Sequence, residues 1–298
     1  MDNNLYVDSL HAKMHEVFKA AIDFMESHSL MWFVSGGTAI GAIRHHDFIP
    51  WDDDIDIYMP RNDYNKLLSL KNDIESSTGL ELLDIDDEGY TQWFAKFVDK
   101  SSTTVESMSN PRFFGVWVDV FPLDYSSRAV GAITIASKEY KDLFLDYQRS
   151  LFPINIRRCI SDLLAFRFYS LYKTLSNHFS KRRRDCLKMR FKSFEASIIE
   201  ERGNFIVSYC EGGRIMNPEW FDTSEWVEFN DYRVRVPIGY DAYLASVFGD
   251  YMSLPPEESR ITHRLLYLNL RERLNNKQIK TRIKNRDNYS NDYEFFSR

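Results

Sequence analysis

The stretch FIPWDDDIDIYMP, residues 48–60, decides how this chain is read. Within it, Asp54-Ile55-Asp56-Ile57-Tyr58 alternates polar and apolar residues with period two, the pattern of a half-buried strand. Residues two apart on a strand share a face, so Asp54 and Asp56 project together while Ile55 and Ile57 turn to the core. Two ionised carboxylates side by side repel, and a divalent ion relieves that repulsion. All-oxygen donors fit Mg²⁺ or Mn²⁺ better than zinc. Pro60 stops the strand, and a helix is expected from Asp63 to about Leu70.

Working outward toward the N-terminus, Leu30 to Val34 is a short run of bulky apolar residues expected to form a buried strand. It runs into Gly36-Gly37-Thr38 and then Ala39 to Arg44, a short helix. Strand, glycine turn and helix start together offer a place where backbone N–H groups meet a phosphate. Gly36, Gly37 and Thr38 are therefore candidates for holding donor phosphates, with Arg44 behind them. Residues 4–27 place Leu10, Met14, Val17, Phe18, Ala21, Phe24 and Met25 at helical spacing.

Toward the C-terminus, strands are expected near Leu80–Ile85, Trp93–Val98 and Val116–Val120, the last ended by Pro122. In that third strand Asp119 stands alone between Val118 and Val120, and an acid so flanked needs a partner. It suits the same ion and the proton of an attacking hydroxyl. From Ser127 to about Arg202 apolar and aromatic residues recur every three or four positions, a helical region. Residues 226–236 form two alternating runs around Asn230-Asp231, a hairpin signal, and a helix follows from Tyr240 to Tyr251. Beyond Leu270 the chain is polar and basic and is expected to be loosely attached.

The order Gly-Gly, Asp-Ile-Asp-Ile, then Val-Asp-Val is that of the nucleotidyltransferase superfamily. The longer run Gly36-Gly37-Thr38, Gly41-Ala42-Ile43-Arg44-His45, Phe48 to Ile57 and Met59-Pro60-Arg61 closely resembles the signature of the LicD (choline-phosphotransferase) family. Asp119-Val120-Phe121-Pro122-Leu123-Asp124 and Pro237-Ile238-Gly239-Tyr240-Asp241 with Phe248-Gly249-Asp250-Tyr251-Met252 extend the likeness. The sequence departs from it at Ala39-Ile40 and His46-Asp47, which bear on packing and loop shape. Fukutin-type ribitol-phosphate transferases look related, although the cysteine-rich zinc loop of some of them is not found here.

The resemblance implies an α/β (α+β) fold, a nucleotidyltransferase-like mixed sheet flanked by helices with a helical insertion. The expected division is a catalytic core at 1–125, a basic helical insertion at 126–205, a hairpin and helix completing the core at 206–270, and a tail at 271–298. It implies a metal-dependent phosphotransferase that moves a phospho-alcohol such as phosphocholine from a CDP-activated donor to a hydroxyl of a cell-surface glycan, releasing CMP. Asp54, Asp56 and Asp119 would hold Mg²⁺ or Mn²⁺, with Asp119 also as base. A nucleotidyltransferase, a glycosyltransferase or a non-catalytic nucleotide-binding module are the alternatives.

Duller readings stand beside these. Clustered aspartates suggest a calcium loop, but Ile57 occupies the position where that loop needs glycine, and Pro60 interrupts it. Trp51 is open to base stacking, to caging a quaternary ammonium, or to core packing. His45 and His46 are read as site or surface charge, His263 and Asp250 as lining the site or structural, and Asp124 as holding the turn after the third strand.

Composition sets the outer bounds. With 298 residues, 44% hydrophobic and 28% charged, the chain can bury a full core. A net charge of -6 argues against nucleic acid as a partner. Cys159, Cys186 and Cys210 lack metal-binding spacing and are expected as buried free thiols. No segment reads as a leader or spanning helix, so the chain is read as cytoplasmic. Twelve Lys and Arg against two acids between Arg149 and Lys192 open a second reading, peripheral contact with the inner face of a membrane or with a lipid-linked acceptor.

Overall fold

The computed structural model describes residues 3–110, 112–151, 156–179, 181–262, 265–286 and 293–296. The opening helix, α1 (Asn3–Ser27), buries Leu10, Met14, Phe18, Ala21 and Met25, the three- and four-residue steps of one helix face. After β1 (Phe33–Val34), two residues rather than the expected five, comes α2 (Gly36–Ile40) and a π-helical turn, Gly41–His45. The helix thus begins at the glycine pair itself. Then follow β2 (Asp56–Pro60), α3 (Arg61–Ser69), α4 (Lys71–Thr78), β3 (Leu80–Leu83), β4 (Ala95–Asp99), β5 (Thr103–Val105) and β6 (Trp117–Ser126).

Among the described residues, the main sheet runs β1-β2-β6-β4-β3, with β2 parallel to β6 and the other pairs antiparallel. It is a mixed sheet, as expected. Pro122 does not end β6. The strand runs on to Ser126, because the missing N–H falls in a gap: β4 has finished at the Ala95↔Val120 pair, and β7 (Phe205–Ser208) begins at Val207↔Asp124. β8 (Arg214–Met216) pairs with β7 and completes seven strands.

Between β6 and β7 lie α5 (Val130–Leu151), α6 (Ile156–Leu164), α7 (Phe168–Phe179) and α8 (Lys181–Ile198). Tyr140 and Tyr147 of α5 and Phe191 and Phe194 of α8 pack with Trp93, Val207 and Tyr209 in a second core cluster. The insertion therefore shares apolar contact with the sheet. All three cysteines are free, but Cys186 is exposed and Cys159 and Cys210 are half-buried rather than buried as expected.

The hairpin is β9 (Ser224–Phe229) and β10 (Tyr232–Pro237), turning at Asn230 with φ +55. Next is α9 (Tyr240–Phe248), stopped three residues early by Gly249 at φ +67, a conformation glycine adopts without Cβ strain. The tail is better anchored than its composition suggests. β11 (Tyr267–Asn269) pairs with both β5 and β12 (Glu294–Phe296), and between them α10 (Asn276–Lys284) carries a capping box at Asn275 and Gln278. Phe295 is 3% exposed, and buried Glu294 is paired with Arg282.

Candidate active site

Strand register assembles the site. Asp56 on β2 is the Cα partner of Asp119 on β6, and Asp119 is the partner of Lys96 on β4. Partners in register point to the same face. Asp56, Asp119 and Lys96 therefore form a row across three adjacent strands, although Asp119 lies far along the chain from Asp56.

Lys96 is buried, forms an ion pair with Asp119, and has its Nζ 4.5 Å from the Trp117 ring centre. Trp117 Nε1 donates to Asp119 Oδ2 at 3.2 Å. The lysine contact at Oδ1 is one of charge and distance without hydrogen-bond geometry, so that oxygen keeps unused acceptor capacity. Burial pushes the Asp119 carboxyl up to about 6 against the opposing pull of Lys96.

The other acids crowd the same end of β2. Carboxylate oxygens of Asp52, Asp53 and Asp54 lie within 4.8 Å of one another. Among the described residues that spacing is met by these three and not by Asp54, Asp56 and Asp119, the set expected from sequence; Asp119 is turned toward Lys96. Burial first, then Asp54 and Asp53, push the Asp52 carboxyl up to about 8. Its Oδ2 is buried with no hydrogen-bond partner. Asp56 is raised well above the usual carboxylate range by burial, then by Asp54 and Asp119. Asp52, Asp54, Asp56 and Asp119 thus act on one another as a single negative cluster.

The glycine pair is what lets the backbone come this close. A Cβ on Gly37 would sit 2.4 Å from Asp52 Oδ2, and one on Gly36, at φ +53, 3.2 Å from Asp56 Oδ2. Gly36 N–H donates to Tyr243 Oη at 3.0 Å. Thr38 is buried and its Oγ1 accepts from Asp56 N–H at 2.9 Å. The amide of Gly36 and the hydroxyl of Thr38 thus have protein partners where donor-phosphate contacts were expected. Thr38 staples the turn to the strand that carries Asp56.

A family model described as LicD: LicD/FKTN/FKRP, nucleotidyltransferase domain, matches residues 29–156, which contain the whole row and the acid cluster. Over 254 residues, 80% of this chain and 89% of the relative, the sequence is 27% identical to a Haemophilus influenzae protein named lipopolysaccharide cholinephosphotransferase LicD. Residues 29–156 thus match the LicD-family nucleotidyltransferase domain.

Several groups at the site come from beyond the matched residues. Arg44 Nη1 donates to the carbonyls of Tyr251, at 2.6 Å, and Ser253, at 3.2 Å, and its Nε donates to His45. The arginine expected at donor phosphates therefore clamps the C-terminal segment to the core. Arg260, from that same segment, lies 5.4 Å over the Trp51 ring, which also packs on the core. His46 is a loop residue at φ +52, and Asp250 accepts from Ser253. Asp124 forms a two-pronged pair with Arg61, at 2.7 and 2.8 Å, tying β6 to α3. His263 lies outside the described residues.

Sequence reading passed over Lys96 and the Tyr58-Glu211-Arg214 network. Lys96 carried a signal, a lone cation in the alternating strand Phe94 to Val98, the same logic that singled out Asp119. The network carried none: Tyr58 donates to Glu211 and Arg214 to Tyr58 at 2.8 Å, groups more than 150 residues apart in sequence.

Proposed function

We propose that this chain transfers a phospho-alcohol, phosphocholine being the first candidate, from a CDP-activated donor to a hydroxyl of a lipopolysaccharide-type cell-surface glycan, releasing CMP. The observation that carries the proposal is the carboxylate cluster of Asp52, Asp53 and Asp54 in the loop entering β2, beside Asp56 and its register partner Asp119. The relative's name supplies the choline and lipopolysaccharide part.

Such a cluster fits a divalent ion. Its donors are all oxygen, burial and then the neighbouring carboxylates raise Asp52 and Asp56, and Asp52 Oδ2 is a buried acceptor without a hydrogen-bond partner. Asp54 and Asp56 would hold Mg²⁺ or Mn²⁺, with Asp119 sharing it and Asp52 beside them. A bound ion there supplies positive charge to the donor's phosphate oxygens. Lys96 fixes one oxygen of Asp119, which leaves the carboxylate oriented to take the acceptor's proton. Gly37 opens the backbone toward the phosphates, while Gly36 and Thr38 hold the turn in place. Trp51 and Arg260 line the approach from the C-terminal segment, where an aromatic face suits a base or a quaternary ammonium.

The test is a screen of CDP-activated alcohols with Mg²⁺ and Mn²⁺. CMP together with a phosphodiester product supports the proposal. Pyrophosphate indicates nucleotidyl transfer, free nucleoside diphosphate indicates glycosyl transfer, and bound nucleotide without turnover indicates a binding module.

A further inference from the structure

The stretch from α6 to α7 wears its polarity inside out. On α6, Ile156, Ile160, Leu163 and Leu164 are 51–74% exposed and fall on one helical face. On α7, Phe168, Tyr169 and Tyr172 are 57–78% exposed, and Phe166 in the turn between the helices is 78% exposed at φ +53. Meanwhile Asp162 is 4% exposed, holding Arg167 at 2.9 Å and Ser170 at 2.8 Å. A helix resting on a protein core does the reverse. The inward acid locks the α6–α7 bend, and the apolar side chains face out.

Charge says what could cover them. Arg149 to Lys192 holds twelve Lys and Arg against Asp162 and Asp185, a surplus of ten positive charges in a chain of net -6. Asp162 is moreover already paired within the bend. A second copy seated face to face would bring two such basic blocks together, which like-charge repulsion disfavours. Among the described residues no helix is long and apolar enough to cross a membrane. Exposed apolar side chains within so basic a stretch of chain match an interface that is oily within and negative at its surface.

We infer that the α6–α7 unit docks on an anionic lipid surface, its Leu and aromatic side chains at the acyl boundary and its basic flank among the headgroups. Docking would hold the enzyme beside a lipid-linked glycan. That link to catalysis rests on the acceptor proposed above; the docking itself does not.

Sedimentation of the full chain with vesicles tests it. Phosphatidylglycerol-phosphatidylethanolamine vesicles should carry the protein down and phosphatidylcholine vesicles should not, with binding falling about tenfold or more between low and high salt. Leu164→Glu combined with Tyr169→Glu should abolish sedimentation while the circular dichroism spectrum and melting temperature stay those of wild type, both positions being exposed. Absence of wild-type binding to anionic vesicles would overturn the inference. So would equal binding by the double variant, or a concentration-dependent dimer that the double variant abolishes while vesicles are ignored. Sedimentation is read without turnover, so its failure leaves the transfer reading standing and the reverse also holds.

Discussion

Lys96 and Asp119 form an ion pair on neighbouring strands at the floor of the carboxylate cluster, with 4% and 11% of their side chains exposed. The lysine is the one cation in the Asp56-Asp119-Lys96 row, and removing it leaves an uncompensated charge in a buried place. Lys96→Met should therefore cost about 3–5 kcal/mol of stability in denaturant melts, as breaking a buried pair does. Adding Asp119→Asn should return much of that loss. A double-mutant cycle that comes out additive would show the two side chains uncoupled.

The acids themselves work against folding when no ion is bound. Asp54→Asn and Asp56→Asn should each cut turnover by about 10² or more, since metal and oriented charge carry such reactions. The ion-free melting temperature of Asp56→Asn should hold or rise, because a carboxyl that burial, and then Asp54 and Asp119, make costly to ionise has gone. Activity loss with a collapsed melting temperature would instead mark Asp56 as structural.

Their titration gives a pH signature. In the ion-free folded chain burial pushes the Asp52 carboxyl up to about 8 and Asp119 up to about 6, both above the 3.8 of a free aspartate. The folded state thus binds more protons than the unfolded one between these values. The stability these groups lend is complete below pH 3.8 and is lost as pH rises through about 6 and about 8. Melts in chelator should show stability falling over that window, Asp52→Asn should flatten the upper part, and Mn²⁺ should raise stability most at the alkaline end.

Arg61 and Asp124 belong to the frame. Their buried two-pronged contact, joined by Glu195 at 3.0 Å from Arg61, ties α3 and α8 to β6. Asp124→Ala should lower stability by about 3–5 kcal/mol while leaving the KM for donor unchanged in the folded fraction. A changed KM with intact stability would move Asp124 into the site.

What sequence made legible was local. The period-two run at Asp54 to Tyr58, the glycine pair and the isolated Asp119 each announce themselves through their immediate neighbours; the strand starts at Asp56, leaving Asp54 in the loop before it, and β2 lies beside β6 with Asp56 opposite Asp119. Pro122 misled because a proline was taken to stop a strand, whereas a gap between two partner strands absorbs its missing N–H. The partners of Arg44 were not legible, because only the tertiary fold brings the Tyr251 and Ser253 carbonyls to it. The tail misled because β12 is three residues long, too short to stand out, yet it completes a sheet with β11 and β5.

Binding of Mn²⁺ followed by electron paramagnetic resonance, in wild type and in Asp56→Asn and Asp119→Asn, reaches the central claim most directly. If carboxylates from β2 and β6 share one ion, wild type should take up Mn²⁺ and each variant should bind it about tenfold or more weakly with its fold intact. Wild-type affinity retained in both variants would place any ion on the Asp52 to Asp54 loop alone and contradict a site built across the two strands.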